Sequence, residues 1–421
     1  MSERSSANFG QGLHSARSCS VEDNEDNSDK ASRSAGAVLF ISHDASQTGA
    51  PLFLLRFLQW LRQNHQMSFR ILVGNSGALM RDFESLGPVA LFEPKPTLAY
   101  RILRRLGRSS SCRSAHLASL RRRLAESDIR LIYSNTIVNG KILDFLSFLH
   151  CPVICHVHEL EEPIRQFGTE NIDLVKKHAL VYIAVSEAVK KNLVEKHDIP
   201  EAKVQVVHGF IPTAKYHAAK DDDCLSVVRK ELGIPAAAKL VCACGSIELR
   251  KGTDLFLEVA RRVAQAYKEA PVHFMWVGGL PEMVDQMRKQ VRAYRLADFV
   301  HFIGSKSDVG PYYEASDVFL LSSREDPFPL VMMEAALRGK PVVCFSGSGG
   351  APEFVEEDAG FVVPGFDVDQ MARRIADLLS AEGPRRRMGA IARQKVLDRH
   401  DIAIGASRIV AIIQDALLIS A

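Results

Sequence analysis

Residues 239–257 read KLVCACGSIELRKGTDLFL. A short apolar run leads into a loop that opens at Gly245 and closes at Arg250-Lys251-Gly252, and helical periodicity follows over Thr253–Glu269. An apolar run of this length suits a strand covered on both faces. A strand–loop–helix unit leaves backbone N–H groups free at the helix start, where an anion is stabilised. Arg250 and Lys251 place two cations there. The loop is no P-loop, because Gly-x4-Gly-Lys-Ser/Thr is absent. Taken alone, its plainer reading is a solvated Arg-Lys pair ahead of a helix.

Outward from this stretch the same unit recurs. Downstream, strands are expected at His273–Val277, Val300–Ile303, Val318–Leu321 and Pro341–Phe345, with helices at Pro281–Tyr294 and Leu330–Arg338. Upstream, strands are expected at Ala37–Ser42, Phe69–Val73, Val89–Phe92, Ile129–Tyr133, Val153–Val157 and Leu180–Val185, with helices such as Ala50–Gln63 and Glu187–Lys196 between them. The alternation pauses over His208–Asp223, where Gly209, Pro212 and a charge run read as a linker. Two alternating runs imply an α/β protein of two doubly wound, Rossmann-like domains facing a central cleft, with ligands at the carboxyl ends of the strands. The expected division is a tail over 1–34, a first domain over 35–210, a second over 211–400 and an amphipathic helix over 401–421.

The 421 residues carry 53 Lys+Arg against 50 Asp+Glu, and 47% are apolar. That composition belongs to a globular chain large enough to bury its core without disulfides. A net charge of +3 gives no global reason to bind nucleic acid. The first 34 residues hold nine Ser and six acids and almost nothing to bury, which reads as disorder. No stretch approaches 18 consecutive apolar residues and no signal peptide is evident, so a cytoplasmic protein without a membrane span is expected. The eight cysteines fit a reducing compartment. Cys151, Cys155, His156 and His158 resemble a metal cluster, but the pleat of one strand sends Cys155 and His158 to opposite faces, and no metal is expected there.

Chemistry-bearing residues gather at strand ends. After Leu321 comes SSREDPFPLVMMEAA, with Glu325 and Asp326 in a loop and Glu334 one turn into a helix that Pro329 can start. Such carboxylates could grip hydroxyl groups, or simply complement a helix dipole. SGSGGAPEFV over 346–355 lets a ligand approach the backbone. In the first half, HDASQTGAP over 43–51 opens a helix, and His158-Glu159 follow a strand.

The ordered series TGAP, HVHE, IAVSEAVKKNL, GSIELRKGTDLF, REDPFPLVMMEAALRGKPVV and GGAPEFV resembles the retaining glycosyltransferases of family 4, with the two-domain GT-B fold, over roughly residues 37–400. The resemblance implies transfer of a sugar from a nucleotide diphosphate sugar to a saccharide or lipid-linked acceptor, with retention, in polysaccharide or glycoconjugate synthesis. It implies no cofactor and no metal. Lys251 falls on the family's diphosphate-contacting lysine. Glu334 falls on the glutamate that accepts from the nucleotide ribose. His158 falls on the first-domain histidine that meets sugar or acceptor.

The sequence also departs from that pattern. Ser246 stands where the family has arginine, so Arg250 is expected to supply the second cation. Asp326, separated from Glu334 by seven residues, stands in place of a glutamate beside the transferred sugar. The glycine after Phe328 is replaced by Pro329, so donor contacts at that helix start are expected from Leu330, Val331 and side chains. Gly49 is expected to let the first helix approach the reacting groups. The departures keep open a non-catalytic sugar-nucleotide binder, and the fold also serves epimerases and phosphorylases. UDP or GDP, the sugar, the acceptor and the oligomeric state stay open. Finally, Lys95–Ala125 holds nine Lys/Arg and no acid. It reads either as a solvated insertion or as a peripheral contact with anionic lipid on the inner membrane face.

Overall fold

The fold comes from a computed structural model that describes residues 36–94, 109–216 and 222–419. The expected tail, 1–34, and the first part of the basic segment, 95–108, lie outside those residues.

The first domain is a parallel sheet of β1 (Ala37–Asp44), β2 (Phe69–Asn75), β3 (Val89–Leu91), β4 (Ile129–Ser134), β5 (Val153–Val157), β6 (Ala179–Ala184) and β7 (Val204–Val206), in the order β3-β2-β1-β4-β5-β6-β7. Its helices are α1 (Gly49–Asn64), α2 (Met80–Leu86), α3 (Ser109–Ala125), α4 (Gly140–Phe145), α5 (Glu161–Phe167), α6 (Thr169–His178) and α7 (Glu187–His197). After α8 (Asp222–Glu231) a second parallel sheet follows: β8 (Lys239–Cys244), β9 (Val272–Val277), β10 (Val300–Gly304), β11 (Val318–Leu321), β12 (Val342–Phe345) and β13 (Gly360–Val363), ordered β10-β9-β8-β11-β12-β13. It carries α9 (Thr253–Ala266), α10 (Pro281–Ala293), α11 (Gly310–Ala315), α12 (Leu330–Leu337), α13 (Ala351–Val355), α14 (Val368–Ser380) and α15 (Glu382–Arg399).

Both sheets start in the middle and reverse. The order turns between β1 and β4 in one and between β8 and β11 in the other. The crevice at such a reversal, outside the carboxyl ends of the two strands, is where open α/β sheets take ligands. The strands are continuous apolar runs because helices cover both faces. Val38, Phe40 and Ile41 of β1, and Leu240, Val241 and Cys242 of β8, are fully buried.

Between the domains the chain crosses near Ile211 and returns near Asp401. Ile211 N–H donates to the His400 carbonyl (3.0 Å), Ile402 N–H donates to the Ile211 carbonyl (2.9 Å), and the Thr213 hydroxyl donates to the Asp401 carboxylate. The two crossings therefore run laced together.

The last helix, α16 (Ile402–Ile419), was expected as a unit of its own. It packs into the first domain instead: Ala406, Ile409, Ile413 and Ala416 share a buried cluster with Phe40, Phe57 and Leu61. Among the described residues it is also the one helix long and apolar enough to cross a membrane, at a mean hydropathy of 1.8 over 18 residues. The polar pairs Ser407-Arg408 and Gln414-Asp415 interrupt its apolar run, which is why a count of consecutive apolar residues passes over it. Gly405 is needed for fit, since a Cβ there would collide with the Phe210 ring.

Candidate active site

At the second domain's reversal, the loop after β8 carries Lys251 to the head of α9. Gly252 caps that helix with φ +68°, in the left-handed region, and a side chain there would collide with the Ser322 carbonyl. The Ser322 hydroxyl donates back to the Lys251 carbonyl (3.2 Å). This close approach brings the Lys251 ammonium to the Asp326 carboxylate at 2.5 Å, with the two side chains 16% and 7% exposed. Asp326 is held in turn by the third loop. Its N–H donates to the Ser348 carbonyl (2.7 Å) and its carbonyl accepts from Gly350 N–H (3.1 Å). Gly349, at φ +107°, leaves no room for a side chain against the Asp326 carbonyl. Arg324 grips Asp254 through both guanidinium ends, at 2.7 and 2.6 Å, tying the second loop to the first turn of α9.

The first domain assembles its half from the ends of β1, β4 and β5. The Asn135 amide donates to the Ala50 carbonyl (2.7 Å), which fixes its oxygen as the atom that accepts from His158 Nε2 (3.2 Å). His158 therefore carries its proton on Nε2 and leaves Nδ1 as an acceptor. Burial, with His43 nearby, pushes its pKa down to about 3, so the ring is neutral across the physiological range. Its ring packs against His156 (4.2 Å between centroids) and Phe53 (4.8 Å). The His158 N–H donates to Glu159 (3.0 Å), which also accepts from Ile137 N–H (3.3 Å) and from the Thr136 hydroxyl. Glu159 is 9% exposed, and burial outweighs these neutral donors, pushing its pKa up to about 7.

The halves meet across the cleft through two carboxylates of the second domain. Glu325 accepts from Glu162 N–H in the first turn of α5 (3.0 and 3.2 Å). Glu353 accepts from Glu187 and Ala188 N–H at the start of α7 (2.8 Å each) and from His208 Nε2 (2.8 Å). Each places negative charge at a helix start, where unpaired N–H groups welcome it.

Two family models match, and together they span most of the chain. "Glycosyltransferase Family 4" matches residues 49–215 and "Glycosyl transferases group 1" matches residues 227–395. The chain belongs to the family 4 glycosyltransferases.

This glycosyltransferase-family chain is 25% identical over 224 residues to a D-inositol 3-phosphate glycosyltransferase of Corynebacterium urealyticum, covering 52% of each protein. It is 28% identical over 238 residues to an N-acetyl-alpha-D-glucosaminyl L-malate synthase of Bacillus anthracis, covering 56% of this chain and 57% of that one. It thus matches about half the length of these curated relatives. In fold it is similar to Anabaena HepE solved in complex with UDP-glucose, with a TM-score of 0.74 at 21% identity, covering 90% of this chain and all of that one.

The structure brings Lys251, Asp326 and the Glu334 helix to one crevice, and it separates Glu325 from them. Asp326 is the acid beside the lysine, while Glu325 faces α5. Two expectations are corrected. Arg250 does not stand free for a diphosphate. Its guanidinium pairs with Glu248 (2.7 Å) and donates to the Glu325 carbonyl (3.1 Å), and Ser246 donates to the same Glu248 carboxylate (2.6 Å). Neighbouring residues in a turn diverge, and Arg250 bends toward the loops rather than toward the strand end. Phe328, expected as a donor contact, is buried instead. It is 7% exposed, against His208 (5.3 Å) and His400 (5.2 Å), because the helix start turns its ring toward the crossings. Glu334 stands at the crevice with Tyr216 donating to one of its oxygens (2.6 Å).

Leu330 and Val331 do lead α12 with N–H groups that meet no acceptor among the described residues. Gly49 opens α1 with free space where a Cβ would sit. Reading along the chain missed Asn135, Thr136, Arg56, Tyr216 and Glu353. The run Ser134-Asn135-Thr136 directly after an apolar strand was a legible signal for the first two; the others had none.

Proposed function

We propose that the protein transfers a sugar from a nucleotide diphosphate sugar to a saccharide or lipid-linked acceptor, with retention of configuration and without a metal. The Lys251–Asp326 pair at the head of α9 carries this reading. As the bond from the anomeric carbon to the diphosphate oxygen breaks, negative charge grows on the leaving group. In this reading Lys251 exchanges Asp326 for that oxygen and stabilises the charge where it develops, together with the N–H groups of Leu330 and Val331. Asp326, released, accepts a hydroxyl of the transferred sugar. Glu334 takes the ribose hydroxyls. His158, neutral, accepts a hydroxyl of sugar or acceptor through Nδ1. The relatives named above as glycosyltransferases support the activity, and the structure solved with UDP-glucose supports a nucleotide sugar donor.

A lipid-linked acceptor would sit well beside a basic surface. In α3, Arg122 and Arg123 are exposed, while Arg121 lies over the Phe148 ring at 4.4 Å. We place a peripheral contact with anionic lipid on the cytoplasmic membrane face here; flotation with anionic vesicles tests it, and loss of salt-sensitive binding on changing Arg122 and Arg123 to Gln supports it.

The activity is tested by incubating the chain with UDP- and GDP-sugars and following nucleotide release, with and without acceptor mixtures. Release that depends on Lys251 supports the transferase. Nucleotide affinity without any turnover would identify a binder instead.

A further inference from the structure

Glu334 lies in the second turn of α12, yet the groups that hold its carboxylate come from other parts of the molecule. Tyr216, at the end of the short turn Thr213–Tyr216 that follows the crossing between domains, donates its hydroxyl to Oε1 (2.6 Å). Arg56, on α1 of the first domain, donates to that same hydroxyl (3.0 Å), and its Nη2 stands 3.6 Å from Oε1. The Arg56 and Glu334 side chains are 17% and 13% exposed. The Arg338 guanidinium lies 5.5 Å from the centre of the Tyr216 ring, against its apolar body. Glu334 Oε2 takes no hydrogen bond from a described residue.

A carboxylate this far from water needs a cation or several donors to hold it in place. Arg56 is that cation. The tyrosine hydroxyl occupies one oxygen and so turns the other outward, toward whatever fills the crevice. A ribose diol offers two O–H donors and needs an ionised, oriented acceptor.

We infer that Arg56 is a positioning residue for the nucleotide, acting with Tyr216 to hold the Glu334 carboxylate in place and keep one of its oxygens presented to the ribose hydroxyls. The inference rests on the donor reading given above, in which Glu334 takes the ribose. It adds that the grip of the second domain on its nucleotide depends on a charge carried by the first. The helix that carries Arg56 also carries Ala50, whose carbonyl holds Asn135 and through it His158. One helix therefore supports groups in both halves of the site.

The test is calorimetric titration of UDP and GDP into the full chain and into Arg56→Gln, Arg56→Lys, Tyr216→Phe, Glu334→Gln and the Arg56→Gln/Glu334→Gln double variant. One nucleotide is expected to bind the wild-type chain. Arg56→Gln should weaken it about tenfold and Arg56→Lys about threefold, since an ammonium restores the charge without the fork. Tyr216→Phe should weaken it a few-fold. The double variant should bind no more weakly than Glu334→Gln alone, because Arg56 acts through that carboxylate. In turnover assays Arg56→Gln should raise the donor KM with kcat kept. Unchanged affinity in Arg56→Gln overturns the inference, and so does a full additional loss in the double variant. A wild-type chain that binds neither nucleotide overturns the donor reading itself, and this inference with it.

Discussion

In the second domain the groups at the strand ends are paired ions. Lys251 meets Asp326 at 2.5 Å and Arg324 meets Asp254 at 2.6 Å. In the first domain the corresponding groups are neutral or only marginally charged. His158 is held down to about 3, His156 well below its ordinary range, and Glu159 is pushed up to about 7, all chiefly by burial. The folds of the two sheets are alike, and in the proposed reading the contrast matches what each half would hold. A diphosphate leaving group develops charge and needs fixed cations and N–H groups. Sugar hydroxyls need oriented neutral donors and acceptors, which a dry surface of Asn, His and backbone groups supplies without carrying net charge.

The contrast breaks most visibly at Lys251. Lys251→Ala should lower kcat by about two to three orders of magnitude, the loss of one contact to developing charge, whereas Lys251→Arg should keep more of it. Donor turnover under saturation measures this, and near-normal turnover in the alanine variant removes Lys251 from the chemistry.

At Asp326 the effect should split. Asp326→Asn leaves Lys251 without its counter-ion in a largely buried place, which costs the empty protein about 3 kcal/mol. Nucleotide should restore most of that in a thermal melt, because the diphosphate replaces the lost carboxylate. Turnover should still fall, while nucleotide binding should be no weaker than wild type. Weakened binding would mean Asp326 holds the nucleotide rather than the sugar side.

In the neutral half, Glu159 offers a pH signature. Its folded pKa of about 7 lies above the ordinary 4.5. The folded state therefore holds the proton more tightly, and the contribution to stability is present below pH 4.5 and is lost as pH rises through 7. Glu159→Gln should flatten the fall in denaturation midpoint between these values, by at most about 3 kcal/mol over the window. A variant whose stability keeps the wild-type slope would place the titration elsewhere. Activity, by contrast, should show no acid limb from His158 between pH 5 and 8, because that ring is already neutral there.

The smallest expected effect is that of EDTA, which should leave turnover unchanged. Loss of activity that manganese or magnesium restores would show that a metal, not Lys251, carries the diphosphate charge.

Much of the ionic half was readable in advance. Gly245 to Lys251 and Asp326 to Glu334 are contiguous stretches, each following an apolar strand, so sequence distance stood in for spatial distance. In the neutral half the reading singled out only His158, Glu159 and Gly49. Asn135 contributes through one amide bonded on both sides, and nothing in its spacing announces a histidine 23 residues away. The two corrections, at Arg250 and Phe328, share one cause: position along a loop locates a residue but not the direction of its side chain. Arg250 precedes Lys251 directly and still turns to Glu248. Phe328 sits between the acid and the helix and still points to the crossings.

The sequence by itself determined the two alternating runs, the reversal crevices they imply, and the residue types placed after each strand. Apolar periodicity is a local property, written wherever helices must cover a sheet on both faces. The tertiary structure alone decided that Ile402–Ile419 packs on the first domain, that Glu353 reaches the start of α7, and that Arg56 and Tyr216 meet Glu334. These contacts join residues more than 100 positions apart. Their geometry depends on how two rigid sheets close on one another, and no local pattern encodes that closure.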